Sequence, residues 1–151
     1  MKKALIIIPT YNEAENIVNI INELMAINYE GIVIEILVVD DNSTDGTSAL
    51  VKNLTFDRVH IIERPGKLGL GTAYIRGFRY AIENNYDYVF EMDADFSHDP
   101  EAIPAFFPKL LEYDVVVGSR YIEGIAVVNW PLRRLMISIG ASYYTRMITF
   151  L

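Results

Sequence analysis

Short apolar runs rich in β-branched residues, at positions 4–8, 32–39, 59–62, 88–92 and 115–117, alternate along the chain with stretches whose apolar residues recur at helical spacing. The helical stretches are 14–26, 47–54, 72–84 and 101–112, and Ile17, Ile20, Ile21 and Leu24 show the period. Strands that alternate with helices are joined by right-handed crossovers, so the pattern predicts an α/β fold with a mostly parallel sheet and helices on both faces. Start signals support the helices. Asn12 with Glu15 reads as a capping box, and Asp99-Pro100-Glu101 places a cap, a first-turn proline and an N-terminal acid in order.

With 151 residues, 52% of them hydrophobic, the chain has the size of one domain over 1–151, large enough to hold a site without staples. It has no cysteine, which excludes a disulfide scaffold, cysteine-ligated zinc and thiol catalysis. Two histidines, His60 and His98, exclude a multi-histidine metal site. The formal charge of −7 argues against a nucleic-acid partner. Charge is segregated: residues 1–118 carry 9 Lys and Arg against 19 Asp and Glu, and residues 119–151 carry 4 against 1. This suits a cation held by the first part and phosphate groups by the tail. The apolar run after Lys2-Lys3 stops at Pro9, too short for a signal core, and no run is long enough to span a membrane. A soluble or peripheral cytoplasmic protein is expected. The segment 134–151 reads as an amphipathic helix with a polar arc of Ser138, Ser142, Thr145, Arg146 and Thr149. Either it packs on its own domain, or it lies on a bilayer with Arg133, Arg134 and Arg146 near lipid phosphates. The chain closes on Ile-Thr-Phe-Leu with no stop signal, which reads as a truncated C-terminus.

In open parallel sheets ligands bind at the carboxyl ends of the strands. The residues there are acidic: Asp40-Asp41-Asn42-Ser43 after the second run and Asp93-Ala94-Asp95 after the fourth, with Pro9-Thr10-Tyr11-Asn12-Glu13 after the first and Gly118-Ser119-Arg120 after the fifth. Converging carboxylates raise one another's pKa unless a cation neutralises them, and a divalent ion is the economical answer. Oxygen donors alone favour Mg²⁺ or Mn²⁺ over zinc. In Asp93-Ala94-Asp95 alternation lets two carboxylates reach one side while the small residue points away. The loop Lys67-Leu68-Gly69-Leu70-Gly71-Thr72-Ala73 precedes a helix and either brings backbone close to a ligand or simply caps that helix. Arg120 is a diphosphate clamp or a surface cation, Arg134 a phosphate ligand or a solvated helix start. His98 reads as structural.

Taken in order, these motifs resemble the family 2 inverting glycosyltransferases of GT-A fold, and within them the polyprenol-phosphate mannosyltransferases. The resemblance rests on Pro9-Thr10-Tyr11-Asn12-Glu13, Val38-Val39-Asp40-Asp41-Asn42-Ser43, Gly69-Leu70-Gly71-Thr72-Ala73, Asp93-Ala94-Asp95-Phe96-Ser97-His98-Asp99-Pro100-Glu101, Gly118-Ser119-Arg120-Tyr121, and Trp130 with Arg134 and Ser138. It implies a sugar nucleotide over the first strand ends, bound by Pro9, Tyr11, Glu13, Asp40, Asp41, Lys67, Gly69, Asp93 and Ala94. Asp93, Asp95 and Ser97 would hold Mg²⁺ or Mn²⁺, and Asp95, Arg120 and Arg134 would serve catalysis. The implied reaction moves a sugar, mannose from GDP-mannose first among them, to a polyprenyl (dolichyl) phosphate with inversion, at the cytoplasmic membrane face. Transfer of another sugar, as from UDP-glucose, and a silent nucleotide-sugar-binding module stay open. A phosphoacceptor receiver domain would place its acidic pair after the first strand, where this chain has none.

Overall fold

The computed structural model describes residues 1–118 and 132–149. Two compact units divide the chain, Met1–Glu112 and Tyr113–Leu151.

The first unit is built on a four-stranded sheet of order β3-β2-β1-β4, comprising β1 (Lys2–Thr10), β2 (Ile32–Asp40), β3 (Val59–Glu63) and β4 (Tyr88–Glu91). Every pairing is parallel, in register from Lys2↔Ile32 to Thr10↔Asp40 between β1 and β2. The helices are α1 (Ile17–Ala26), α2 (Thr47–Lys52), α3 (Leu70–Glu83) and α4 (Ile103–Lys109), the last entered through a 3₁₀ turn at Pro100–Ala102. The second unit contains α5 (Leu132–Thr149).

Side chains alternate across a strand, so the central β1 feeds two cores. Ala4, Ile6 and Ile8 join Ile34, Ile36 and Val38 of β2 and the buried faces of α1, α2 and α4. Leu5 and Ile7 join Leu37 and Val39 against Ala73 and Ala81 of α3. Unbroken apolar strands are what a sheet covered on both faces requires. The closest approach is at Gly77 of α3, where a Cβ would stand 2.6 Å from Ile7 Cγ2. Helix and strand meet there because the helix has no side chain.

One polar cluster interrupts the α3 face at the amino end of the sheet. Glu35 of β2, partly buried, accepts hydrogen bonds from the Tyr86 hydroxyl at 2.7 Å and pairs with His60 Nε2 at 2.8 Å, with Lys3 Nζ at 3.7 Å. Burial pushes its pKa up, and the bonds from His60 and Tyr86 with the charge of Lys3 outweigh this, leaving it below its ordinary value.

Two local expectations fail. Residues 115–117 form no strand, and Val115 and Val117 are exposed. Three apolar residues in a row cannot by themselves tell a buried strand from an extended segment. The capping box at Asn12 does not form: Asn12 adopts φ 60°, its Oδ1 accepts the Thr44 N–H at 2.9 Å, and α1 begins only at Ile17. An Asn side chain serves a loop as readily as a helix end, and here the loop takes it. The other cap is as expected, Asp99 accepting the Glu101 N–H with Pro100 in the first turn.

Candidate functional site

The carboxyl ends of β1 and β2 are bound into one platform. Asp40, the last residue of β2 and fully buried, accepts hydrogen bonds from the Thr10 hydroxyl at 2.8 Å, the Ser43 N–H at 2.8 Å and hydroxyl at 2.5 Å, and the Ser48 hydroxyl at 3.0 Å. Burial raises its pKa, but these donors outweigh it and hold the carboxyl below its usual range. The following loop is stitched to the one after β1: Asn12 N–H donates to Ser43 Oγ at 2.9 Å, Glu13 N–H to Thr47 Oγ1 at 3.0 Å and Ala14 N–H to Asp45 Oδ2 at 2.9 Å. Pro9 is half-buried at the end of β1, and Tyr11 and Glu13 follow on this stitched loop with Tyr11 exposed.

Asp41 is buried against Arg64, a residue the sequence reading passed over. The two side chains form an ion pair, each 7% exposed. Asp41 Oδ2 also accepts the Leu68 and Gly69 N–H groups at 3.0 and 3.1 Å. The Arg64 guanidinium continues to Thr72 Oγ1 at 2.7 Å and the Gly69 carbonyl at 3.1 Å, fixing the loop onto β2 and the first turn of α3. Gly69 precedes that helix at φ 95°, a left-handed conformation natural to glycine. The backbone groups expected to approach a ligand here are thus committed to a protein carboxylate. Lys67, exposed on the same loop, lays its ammonium 4.0 Å over the Tyr11 ring, so the loops carrying Pro9 and Tyr11 and carrying Lys67 and Gly69 meet above Asp40 and Asp41, which are buried and, against the sequence expectation, not open to a ligand. Scanning the residues after β3 as after the other strands would have found Arg64, which directly follows Glu63.

Neutralisation at the β2 end therefore comes from hydroxyls, amides and Arg64, and the carboxylates left for a cation are those after β4. The ladder runs one residue past β4, with Met92 N–H donating to the Ile7 carbonyl at 3.1 Å. The chain then turns. Ala94 is buried in the core between half-buried Asp93 and exposed Asp95, the alternation the motif predicts. Asp93 accepts the Tyr74 hydroxyl at 3.2 Å, and its N–H donates to His98 Nδ1 at 3.1 Å. Asp95 Oδ1 accepts the Ser97 N–H at 2.9 Å. Burial raises the Asp95 pKa, and the bonds from Ser97 more than offset it, so the carboxyl is held ionised below its usual range. Tyr74, half-buried beside the Asp93 charge, has its phenol pushed up by desolvation and by that charge and stays a donor.

Among the described residues no group of three or more His, Cys, Asp and Glu could hold a metal ion. Two hard carboxylates with a neighbouring hydroxyl, Ser97, nonetheless fit Mg²⁺ or Mn²⁺. Such ions commonly keep several waters and take one or two protein carboxylates, the rest of the shell coming from phosphate oxygens. Arg120 and Trp130 lie outside the described residues, and Arg134 is placed in α5 with its side chain outside them.

Comparison with known proteins identifies a family. The family model described as "Glycosyl transferase family 2" matches residues 5–151. Polyprenol monophosphomannose synthase of Mycolicibacterium smegmatis is 42% identical over 151 residues, 97% of this chain and 56% of its own length. Undecaprenyl-phosphate mannosyltransferase of Micrococcus luteus is 43% identical over 148 residues, 97% and 60% respectively. The chain thus spans a little over half the length of these curated relatives. Among solved structures, S. aureus TarS 1-349 superposes with a TM-score of 0.59 at 22% identity, covering 82% of this chain and 40% of that one. That likeness is one of fold, and the fold is the GT-A arrangement expected.

Proposed function

The chain belongs to glycosyl transferase family 2, and from that premise we propose that it carries the donor side of a metal-dependent inverting mannosyltransferase. In this reading mannose passes from GDP-mannose to a polyprenyl phosphate. The single observation that carries the reading is the turn after β4, two ionisable carboxylates on either side of a buried alanine at the carboxyl edge of the sheet. The names of the two mannosyltransferase relatives supply the sugar and the lipid class.

Pro9, Tyr11, Glu13, Lys67 and Gly69 provide the surface for base and ribose, with the buried Asp40 and Asp41 holding its loops from beneath rather than meeting the ligand, and Asp93 and Asp95, on either side of buried Ala94, form the edge for the diphosphate. Asp93, Asp95 and Ser97 would hold Mg²⁺ or Mn²⁺, which supplies positive charge to the departing nucleoside diphosphate. Arg120 and Arg134 bind phosphate of donor or acceptor. The acceptor needs little help from a base: a phosphate monoester, with a second pKa of about 6, is already anionic near neutral pH and attacks the anomeric carbon directly. This accords with a site edge whose carboxylates are held ionised by hydrogen bonds. No helix among the described residues is long and apolar enough to cross a membrane. α5 exposes Met136, Ile137, Tyr143, Tyr144, Met147 and Ile148 together with Arg133 and Arg146, a composition suited to peripheral contact with the cytoplasmic membrane face.

Incubation with Mn²⁺, GDP-mannose and a short polyprenyl phosphate is expected to yield lipid-linked mannose, with UDP-glucose a poorer donor. Binding of GDP without any lipid-linked sugar would leave a nucleotide-sugar-binding module and overturn the transferase reading.

A further inference from the structure

We propose that His98 is a positioning residue for the Asp93-Ala94-Asp95 turn, acting through its Nδ1 lone pair on the Asp93 backbone. The inference rests on the metal-binding reading of that turn and adds a residue which does not itself touch ion or substrate. Three observations carry it. The turn stands beyond the sheet ladder, whose last bond in this strand is Met92 N–H to the Ile7 carbonyl, so Asp93 is the first residue that strand pairing no longer holds. Its N–H is met by the imidazole Nδ1 at 3.1 Å. A backbone N–H can only donate, so Nδ1 must present its lone pair, and the ring proton belongs on Nε2. Within the loop so closed, Phe96 takes φ 58°, a conformation that a bulky non-glycine residue adopts only when its surroundings impose it.

The backbone that follows His98 is held in place. Asp99 caps the 3₁₀ turn that follows through its bond to the Glu101 N–H, and Pro100 is buried as the first residue of that turn. The imidazole thus ties the first carboxylate of the pair to the start of the next helical segment. Tyr74 meets the Asp93 side chain and His98 meets its backbone, which together set where the carboxylate stands relative to Asp95. Groups that orient metal ligands in this way typically alter metal affinity by roughly 10–100-fold when removed.

The test uses the whole chain, with free Mn²⁺ followed by electron paramagnetic resonance in the presence of GDP and the Asp93 amide followed by NMR hydrogen exchange. His98→Ala should weaken Mn²⁺ binding by about 10-fold and expose the Asp93 amide to exchange. His98→Asn carries an acceptor oxygen at the same branch point as Nδ1, and should restore both readouts. His98→Gln places its acceptor one bond further out and should restore neither. If His98→Ala leaves Mn²⁺ affinity and Asp93 protection unchanged while Asp95→Ala abolishes Mn²⁺ binding, the proposal is overturned and the metal reading survives. Should Asp95→Ala also leave Mn²⁺ affinity unchanged, the metal reading falls and takes the proposal with it. An Asn variant as impaired as the Ala variant overturns the acceptor role.

Discussion

At the scale of single residues, Arg64, which lies outside the motifs, ties Asp41, Thr72 and the Gly69 carbonyl together at the site edge. Its pairing with Asp41 is desolvated on both sides, and removing one member of a buried pair leaves an uncompensated charge at a cost of roughly 3–5 kcal/mol. Arg64→Met should therefore lower stability by about that amount in chemical denaturation, and a double-mutant cycle with Asp41→Asn should show strong coupling. Additive losses would mean that the two side chains act independently. Glu35 gives a prediction with a pH signature. Its pKa in the folded chain lies below the ordinary 4.5, so the stability it contributes is present above that value and disappears as pH falls through the folded one. Glu35→Gln should cost about 1 kcal/mol at neutral pH, with the gap to the parent chain closing below pH 4.5 in denaturant titrations; a gap independent of pH would assign the loss to packing. These residues also mark how far the site could be read in advance. Asp93, Ala94 and Asp95 could be singled out because an acidic triplet directly follows an apolar run, and ligands of parallel sheets gather at the carboxyl ends of strands. The commitment of Asp41 to Arg64, and of Asp40 to Thr10, Ser43 and Ser48, was not, because carboxylate partners 3 to 30 positions away leave no periodic trace.

At the scale of elements, the alternation of apolar runs and amphipathic stretches determined the fold, since β1 and β2 bury both faces and α1 and α3 cover opposite sides. Element type was legible and element ends were not. α1 starts three residues late because the Asn12 side chain and the Glu13 N–H bond to the neighbouring loop, leaving the Glu13 carbonyl to accept the N–H of Ile17, the first residue of the helix. The expected helix over 101–112 begins as a 3₁₀ turn and stops at Lys109. The segment 115–117 has too few residues for periodicity to separate strand from coil. The contact of α3 with β1 is the sharpest element-level test. Gly77→Ala puts a methyl group into Ile7 and should destabilise by about 1–3 kcal/mol, as overpacked cores do. Ile7→Ala should therefore cost less in the Gly77→Ala chain than in the parent chain, a favourable coupling read in thermal unfolding. Additive losses would place the strain elsewhere in α3.

At the scale of the whole molecule, every residue assigned to donor or metal except Arg120 and Arg134 falls within the unit Met1–Glu112, which also contains every described residue of the two cores. A chain of residues 1–112 should accordingly bind GDP with Mn²⁺ within about 10-fold of the 151-residue chain, a difference of about 1.4 kcal/mol, when measured by calorimetry. A loss of 100-fold or more would mean that the tail contributes directly to the nucleotide. The register supports such autonomy, because β1 pairs with β2 along all nine of its residues and with β4 along four, and each return is made by parallel crossover.

That arrangement also bears on the order in which the polypeptide is made. Residues 1–112 leave the ribosome ahead of the arginine-bearing tail, and N-terminal units fold first as they emerge. The nascent chain can therefore fold the surface proposed for the nucleotide while residues 113–151 are still in the exit tunnel, and, if that surface binds as proposed, cellular nucleotide would stabilise the partly made protein by mass action.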